Sequence, residues 1–576
     1  MKLRVFIGLV AVALIAGAIA LYFRHHVREV SMILTNTRIY TMNPSQPRAD
    51  AMAINNGIIV GVGSAEEIAG KFKADTVIDL RGKPVYPGFI DSHAHFEALG
   101  VMMMNLNVEG MRTPEEVAHA VAEAVAKRPQ GAWIRGRGWD QNLWSRKEFP
   151  SHEILDRVAP HNPVMLARRD GHAVWVNSAV LALAHIQQST KDPPGGKVIR
   201  DRQGNPTGVL VDNAMQMLSS FLPPPTREER KEAIRTSLNE CLKLGLTQIH
   251  DMGVDDELIN IYREMMKGGG FPLRVYAAID GTGETWRRLR TSGPEKGNAD
   301  DRLTVRALKV YMDGALGSRG AALLQPYTDE AGERGLTLMS SDSLRKLAGE
   351  CIEKGFQLCV HAIGDRANDI VLKAYGNAFD STRTNGNDVR FRIEHAQVLD
   401  PGDVPRFHAL GIIPVMQASQ CTSDMLWVEN RLGARTSHAY LWRSLIDDGN
   451  IVPGGSDFPV ESPNPLLGFY AAITRQTTSG DPRGGWHPEQ CMTREEALKS
   501  YTIWGSYAAF EEDVKGSLEV GKWADLVVLS DDIMSVDVQR IPEISVERTM
   551  IGGSFVFEAA NENAVQAAMF GEVGKK

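Results

Sequence analysis

The sequence predicts an α/β protein with three parts. These are a (β/α)8 TIM barrel, a composite small β-sandwich domain from the N- and C-terminal segments, and an N-terminal hydrophobic helix. Three observations predict it. Eight short apolar, β-rich runs recur through the middle of the chain with helical patterns between them, the alternation expected of a parallel barrel. Strand-and-turn text occupies both ends, and an uncharged, mostly apolar run from Val5 to Phe23 precedes everything else.

The apolar run follows Lys2 and Arg4 and ends before Arg24, His25, His26 and Arg28. As a helix it would span roughly 28 Å, close to bilayer hydrocarbon thickness. It reads either as an uncleaved membrane anchor or as a secretory signal cut near Ala18-Ile-Ala20, with a buried helix as the third reading. The first two place the remainder outside the cytoplasm, either membrane-anchored or periplasmic or extracellular.

Past residue 30, Ser31 to Met42 is β-rich, and Ala51 to Val60 holds two apolar runs around Asn55-Asn-Gly57, a hairpin signal. Lys515 to Ser530 and Thr549 to Glu558 have the same character. Each end is too slight for a core, so residues 31–84 and 515–560 are expected to join in one β domain. The barrel takes 85–514, leaving 1–30 for the signal or anchor.

The eight runs are Val85–Asp91, Pro163–Ala167, Leu246–Asp251, Thr304–Met312, Gln357–Ala362, Arg390–His395, Ile412–Gln417 and Ile451–Asp457. Amphipathic helices are read at Thr113–Lys127, Arg227–Leu244 and Ser343–Lys354. The stretch from about 100 to 240 is too long for one β/α unit and must carry an insertion, with loops and hairpins between Asp192 and Gly208.

Composition bounds the function. The 576 residues are 43% hydrophobic and 23% charged, which excludes disorder, collagen and a polytopic membrane protein. Lys plus Arg numbers 63 against 71 for Asp plus Glu, a net charge of −8 that argues against a nucleic-acid partner. Five scattered cysteines suggest neither a disulfide framework nor a cysteine zinc site.

The chemistry lies at the C-terminal ends of the runs, where barrel active sites form. The first run leads into His93-Ala-His95, and residues two apart on an extended chain point the same way. Lys309 sits inside an apolar run, where a lone ammonium is costly. His361, His395 and Asp457 end three later runs. Imidazole nitrogens and oxygen donors suit a divalent ion, zinc or similar, as one or two ions. Such an ion lowers the pKa of bound water from 15.7 towards about 7, giving a metal-activated hydroxide. Asp457 is then the natural proton acceptor and donor. An ammonium cannot ligate a cation, but a carbamate formed from Lys309 and CO₂ (N6-carboxylysine) could bridge two.

These motifs resemble the amidohydrolase superfamily, specifically its amidohydrolase 3 branch of YtcJ-like proteins and N-substituted formamide deformylases. The matching text includes Pro87-Gly-Phe-Ile-Asp-Ser-His-Ala-His95, Arg169-Asp-Gly-His-Ala173, Asp313-Gly-Ala-Leu-Gly-Ser-Arg319, His361-Ala-Ile-Gly-Asp-Arg-Ala-Asn368, Arg392-Ile-Glu-His-Ala-Gln397 and Gly455-Ser-Asp-Phe-Pro-Val-Glu461. The resemblance implies metal binding by His93, His95, His361 and His395, a carbamylated Lys309, and Asp457 as ligand or proton shuttle. It implies hydrolysis of a non-peptide C–N bond in a small-molecule amide. One stretch departs: Gln417-Ala-Ser-Gln420 stands where the family pattern suggests Gln-Pro-x-His.

Beyond these, His172 ends the second run and is read as a substrate or oxyanion contact in the catalytic set, with a structural hydrogen bond as the other reading. Trp139, Trp144 and Trp175 either line an apolar pocket or serve as packing, and Arg319 either holds a substrate carboxylate or supports backbone. The expected enzyme is an exported amidohydrolase acting on an N-substituted formamide or an N-acyl amine or amino acid. The alternatives are a heterocycle deaminase and a catalytically reduced, membrane-tethered binding protein. The membrane is a partner only if the N-terminal segment is uncleaved, and a homo-oligomer is compatible with the sequence.

Overall fold

The computed structural model describes residues 27–169, 172–193, 195–297 and 301–559. The expected N-terminal helix lies outside the described residues. Within the segment assigned to it, residues 28–30 belong instead to a strand, Arg28–Thr35. No helix among the described residues is long and apolar enough to cross a membrane. The chain divides into two compact units, one of Met1–Phe96 with Leu238–Lys576, the other of Glu97–Ser237.

In the first unit seven parallel strands form most of a barrel. They are β1 (Phe89–Ala94), β2 (Leu246–Val254), β3 (Arg274–Asp280), β4 (Leu303–Tyr311), β5 (Gln357–Ala362), β6 (Arg392–His395) and β7 (Ile413–Val415). They pair in chain order from β1 to β7. Their sequences are nearly continuous apolar runs because parallel strands are covered on both faces. Residues 453–455 bridge the remaining gap. Met416 N donates to Pro453 O (3.1 Å), Gly455 N to Met416 O (3.1 Å), and Ser92 N to Gly454 O (2.9 Å). Pro453 has no N–H and two glycines follow it, so this stretch closes the barrel without becoming a regular strand. Met252, Tyr276, Ala278, Ala307, Cys359 and Ala509 form an apolar cluster with members from four of the strands.

Two of the eight expected runs are corrected. Pro163–Ala167 is a strand (Val164–Arg168), but it lies in the sheet of the other unit, between Ile134–Trp139 and Ala173–Val176. Leu246–Val254 follows β1 directly in the barrel, and the count is made up by β3, a run the sequence reading does not include. Val85–Asp91 is split at Gly88: Pro84–Pro87 joins an outer sheet and Phe89 onward forms β1. A buried strand is apolar in any sheet, so hydropathy cannot assign the partner.

Both chain ends meet in one six-stranded sheet. Leu526, Val527 and Val528 pair antiparallel with Pro87, Tyr86 and Val85, and Val546–Ile551 and Ser554–Glu558 extend the sheet. A second sheet of four strands comes from residues 28–79, and Leu34, Met52 and Ile59 from it share an apolar cluster with Val85, Leu526 and Met550. The hairpin at Asn56-Gly57 has φ of 48° and 81° at its two central residues, the left-handed pair that Asn-Gly supplies. Arg274 of β3 grips Asp525 through Nε–Oδ2 at 2.6 Å and Nη2–Oδ1 at 3.0 Å, tying barrel to outer sheet.

The unit of Glu97–Ser237 carries a six-stranded mixed sheet. The helix expected at Thr113–Lys127 runs Pro114–Ala126 with Thr113 as its N-cap. Trp139, Trp144 and Trp175 are buried in one cluster with ring centroids 6.1–6.2 Å apart, so they are packing residues.

Candidate active site

β1 delivers His93 and His95, and the turn after the closing segment delivers Asp457. The two are locked together: Asp457 N donates to His93 O at 2.7 Å. Gly455 is required for that approach, since a Cβ there would lie 2.6 Å from His93 N. His93 Nε2 stands 3.6 Å from Asp457 Oδ1, and His95 Nε2 stands 3.2 Å from the same oxygen. Lys309 of β4 places Nζ 3.3 Å from His93 Nε2. The ring of His395, ending β6, lies 4.8 Å from that of His93, and the ring of His361 from β5 lies 4.5 Å from that of His395. Six expected residues from five separate segments thus form one connected group. His93, His395 and Asp457 each offer a ligand atom, all within 4.8 Å of one another.

The electrostatics suit a cation. Burial holds the His93 imidazole down at about 4, helped by the Lys309 ammonium, and holds His395 down at about 3, helped by His93. His361 is also pushed well below the ordinary histidine value by burial. All three are therefore neutral, the ligating form. Burial opposes charge on Asp457, but the surrounding imidazoles hold its carboxyl well below the usual range. Burial lowers Lys309, against the pull of Glu394 and Asp457. His361 Nε2 is buried without a hydrogen-bond partner. An orphaned nitrogen beside neutral imidazoles and a carboxylate fits a divalent ion.

The backbone is strained where these groups present themselves. His395 has φ of 75° and Asp457 φ of 59°, left-handed values that cost non-glycine residues about 1–3 kcal/mol each.

Sequence reasoning missed the residues behind this group. Glu394 Oε2 accepts from His93 Nδ1 at 2.6 Å, which leaves Nε2 facing the cluster. Arg392 pairs with Glu394 (Nε–Oε1 2.7 Å) and donates to Ser92 O at 2.6 Å. Gln417 Oε1 meets His395 Nδ1 at 2.8 Å. Asp313 accepts from the backbone N–H groups of Ala322, Ile363 and Gly364 and lies 3.6 Å from His361 Nε2. The signal used for Lys309, a charge inside an apolar run, applies equally to Arg392 and Glu394. Gln420, where a histidine was expected, donates Nε2 to Asp457 Oδ2 at 3.0 Å.

His172 belongs to the Glu97–Ser237 unit, where its exposed ring meets Asp212 Oδ1 at 2.9 Å. Arg319 is engaged by Asp329 and Glu330. His250 is buried, with Nδ1 3.0 Å from Arg392 Nη1.

Residues 76–557 match the Amidohydrolase family. The chain is 32% identical to the putative amidohydrolase YtcJ of Bacillus subtilis, covering 90% of this chain and 98% of that one. It is 29% identical to the N-substituted formamide deformylase of Arthrobacter pascens, covering 92% and 98%. Among solved structures, an uncharacterized metal-dependent hydrolase from Pyrococcus furiosus superposes with a TM-score of 0.73 at 28% identity, covering 88% of this chain and all of the other.

Proposed function

The chain belongs to the amidohydrolase family, and from that premise we propose that it hydrolyses a non-peptide C–N amide bond, in an N-substituted formamide or an N-acyl amine or amino acid. The observation that carries the reading is the convergence of His93, His395 and Asp457, with ligand atoms within 4.8 Å. The deformylase relative supports the bond type.

In this reading His93, His95, His361 and His395 hold one or two divalent ions, zinc by donor type, with Asp457 and a carbamylated Lys309 completing the set. A bound ion there supplies Lewis acidity and a lowered water pKa. The chain's own groups do the rest. Glu394 fixes the His93 tautomer, so that Nε2 faces the cluster. Asp457, ionised and beside His95, accepts the proton of the attacking water and returns it to the departing nitrogen. Gln420 orients the other oxygen of that carboxylate. Residues 31–84 with 515–560 are assigned to a small β-sandwich that supports the barrel.

The test is a purified-protein assay. Metal analysis should find one or two divalent ions per chain, and an N-formyl and N-acyl amine panel should show turnover that Asp457→Asn lowers by about 10²–10⁴-fold. Full metal loading with no turnover on any amide would overturn the reading. Ammonia release from a heterocycle in its place would identify a deaminase.

A further inference from the structure

A cavity of about 270 Å³ opens near the N-terminal end of β4. Its wall includes Lys296, Arg306, Phe510, Glu511 and Lys515. Arg306 lies three residues before Lys309 on β4, at a break in the strand register and about 10 Å away along the chain. The cavity is therefore distinct from the candidate active site.

Its charges are unbalanced in a specific way. The Arg306 guanidinium stacks 3.4 Å above the Phe510 ring, and its Nε is buried without a hydrogen-bond partner. Among the described residues neither Arg306 nor Lys296 makes an ion pair. Arg306 is close enough to Lys296 to lower the affinity of that ammonium for its proton. Of the acids at the wall, Glu511 is already taken by Lys515 (2.8 Å), Gln248 (2.7 Å) and Thr304 (3.2 Å). Asp301 also borders the cavity, yet it pairs with neither cation. A guanidinium stacked on an aromatic face keeps its N–H edge free for two parallel bonds to an oxyanion, and a neighbouring ammonium adds a point charge.

We propose that this cavity binds a small oxyanion, a phosphate or carboxylate group held by the edge of Arg306 and the ammonium of Lys296. The assignment is independent of the hydrolytic reading. It explains why two like charges face one space while the acids at its wall pair with neither: the ligand supplies the missing negative charge.

Calorimetric titration of the metal-loaded full-length protein tests it, with inorganic phosphate and benzoate added separately. The expected result is a saturable event whose Kd rises about tenfold or more in Arg306→Gln and severalfold in Lys296→Gln. Saturation by phosphate alone assigns a phosphate-type ligand, and by benzoate alone an organic carboxylate. Lys296 is exposed, so its variant reports on the site even where Arg306→Gln does not fold. An anion bound at the metal centre is untouched by either change. Isotherms that match wild type in both variants, or no saturation by either anion at concentrations on the order of 10 mM, overturn the assignment.

Discussion

His93 Nδ1 and Glu394 Oε2 are 2.6 Å apart, with both side chains fully buried and Arg392 on the far side of the carboxylate. Glu394→Gln keeps the shape and removes the charge, leaving the Arg392 guanidinium uncompensated. Breaking a buried pair costs about 3–5 kcal/mol, and loss of an outer partner lowers metal affinity about 10–100-fold. Urea unfolding and metal titration of the variant measure both. A variant as stable and as metal-avid as wild type would show the pair to be dispensable.

Metal-free protein should lose stability as the pH falls from 6.5 to about 4. The His93 imidazole is held down at about 4 against an ordinary 6.5, so in that window the unfolded chain takes up a proton that the folded one refuses. Stability then rises with pH across the window, by on the order of 3 kcal/mol from His93 alone. Denaturant midpoints at pH 7 and 4.5 read the slope, which should flatten in His93→Asn.

Gln420→Leu removes the hydrogen bond to Asp457 Oδ2 without touching the imidazoles. A hydrogen bond to a charged group is worth about 1.5–3 kcal/mol, so turnover should fall roughly tenfold or more while metal content stays constant. Loss of metal instead would mean that Gln420 shapes the donor set itself.

Lys309 is buried, with its Nζ 3.3 Å from His93 Nε2, where a carbamate would offer oxygens to the same centre. Protein loaded with metal in ¹³C-bicarbonate should show a carbamate carbon resonance, absent in Lys309→Met. An unlabelled, fully active wild type would remove the carbamate from the proposal.

The bidentate pair of Arg274 and Asp525 is 3% and 5% exposed and joins β3 to the outer sheet. Asp525→Ala should destabilise the protein by about 3–5 kcal/mol, read as a lowered urea midpoint.

Much of the site was legible in the sequence for a physical reason. His93, His361, His395 and Asp457 are polar residues at the ends of apolar runs, and Lys309 is a charge within one; burial makes either costly unless chemistry requires it. Arg392 and Glu394 obey the same rule but were hidden by the histidine beside them. Strand β3 was passed over and Val164–Arg168 miscounted because a run of apolar residues reports only that a strand is covered.

The linear chain determined by itself which residues must be buried, where they end in ligand-type side chains, and that its two ends are too small to stand alone. Those are local matters of hydropathy and period. Tertiary structure alone decided which strands neighbour one another, which nitrogen of His93 faces the cluster, and that Arg306 and Lys296 share a cavity whose acids pair with neither. Each depends on groups brought together by the folded chain, and short-range spacing carries no record of such meetings.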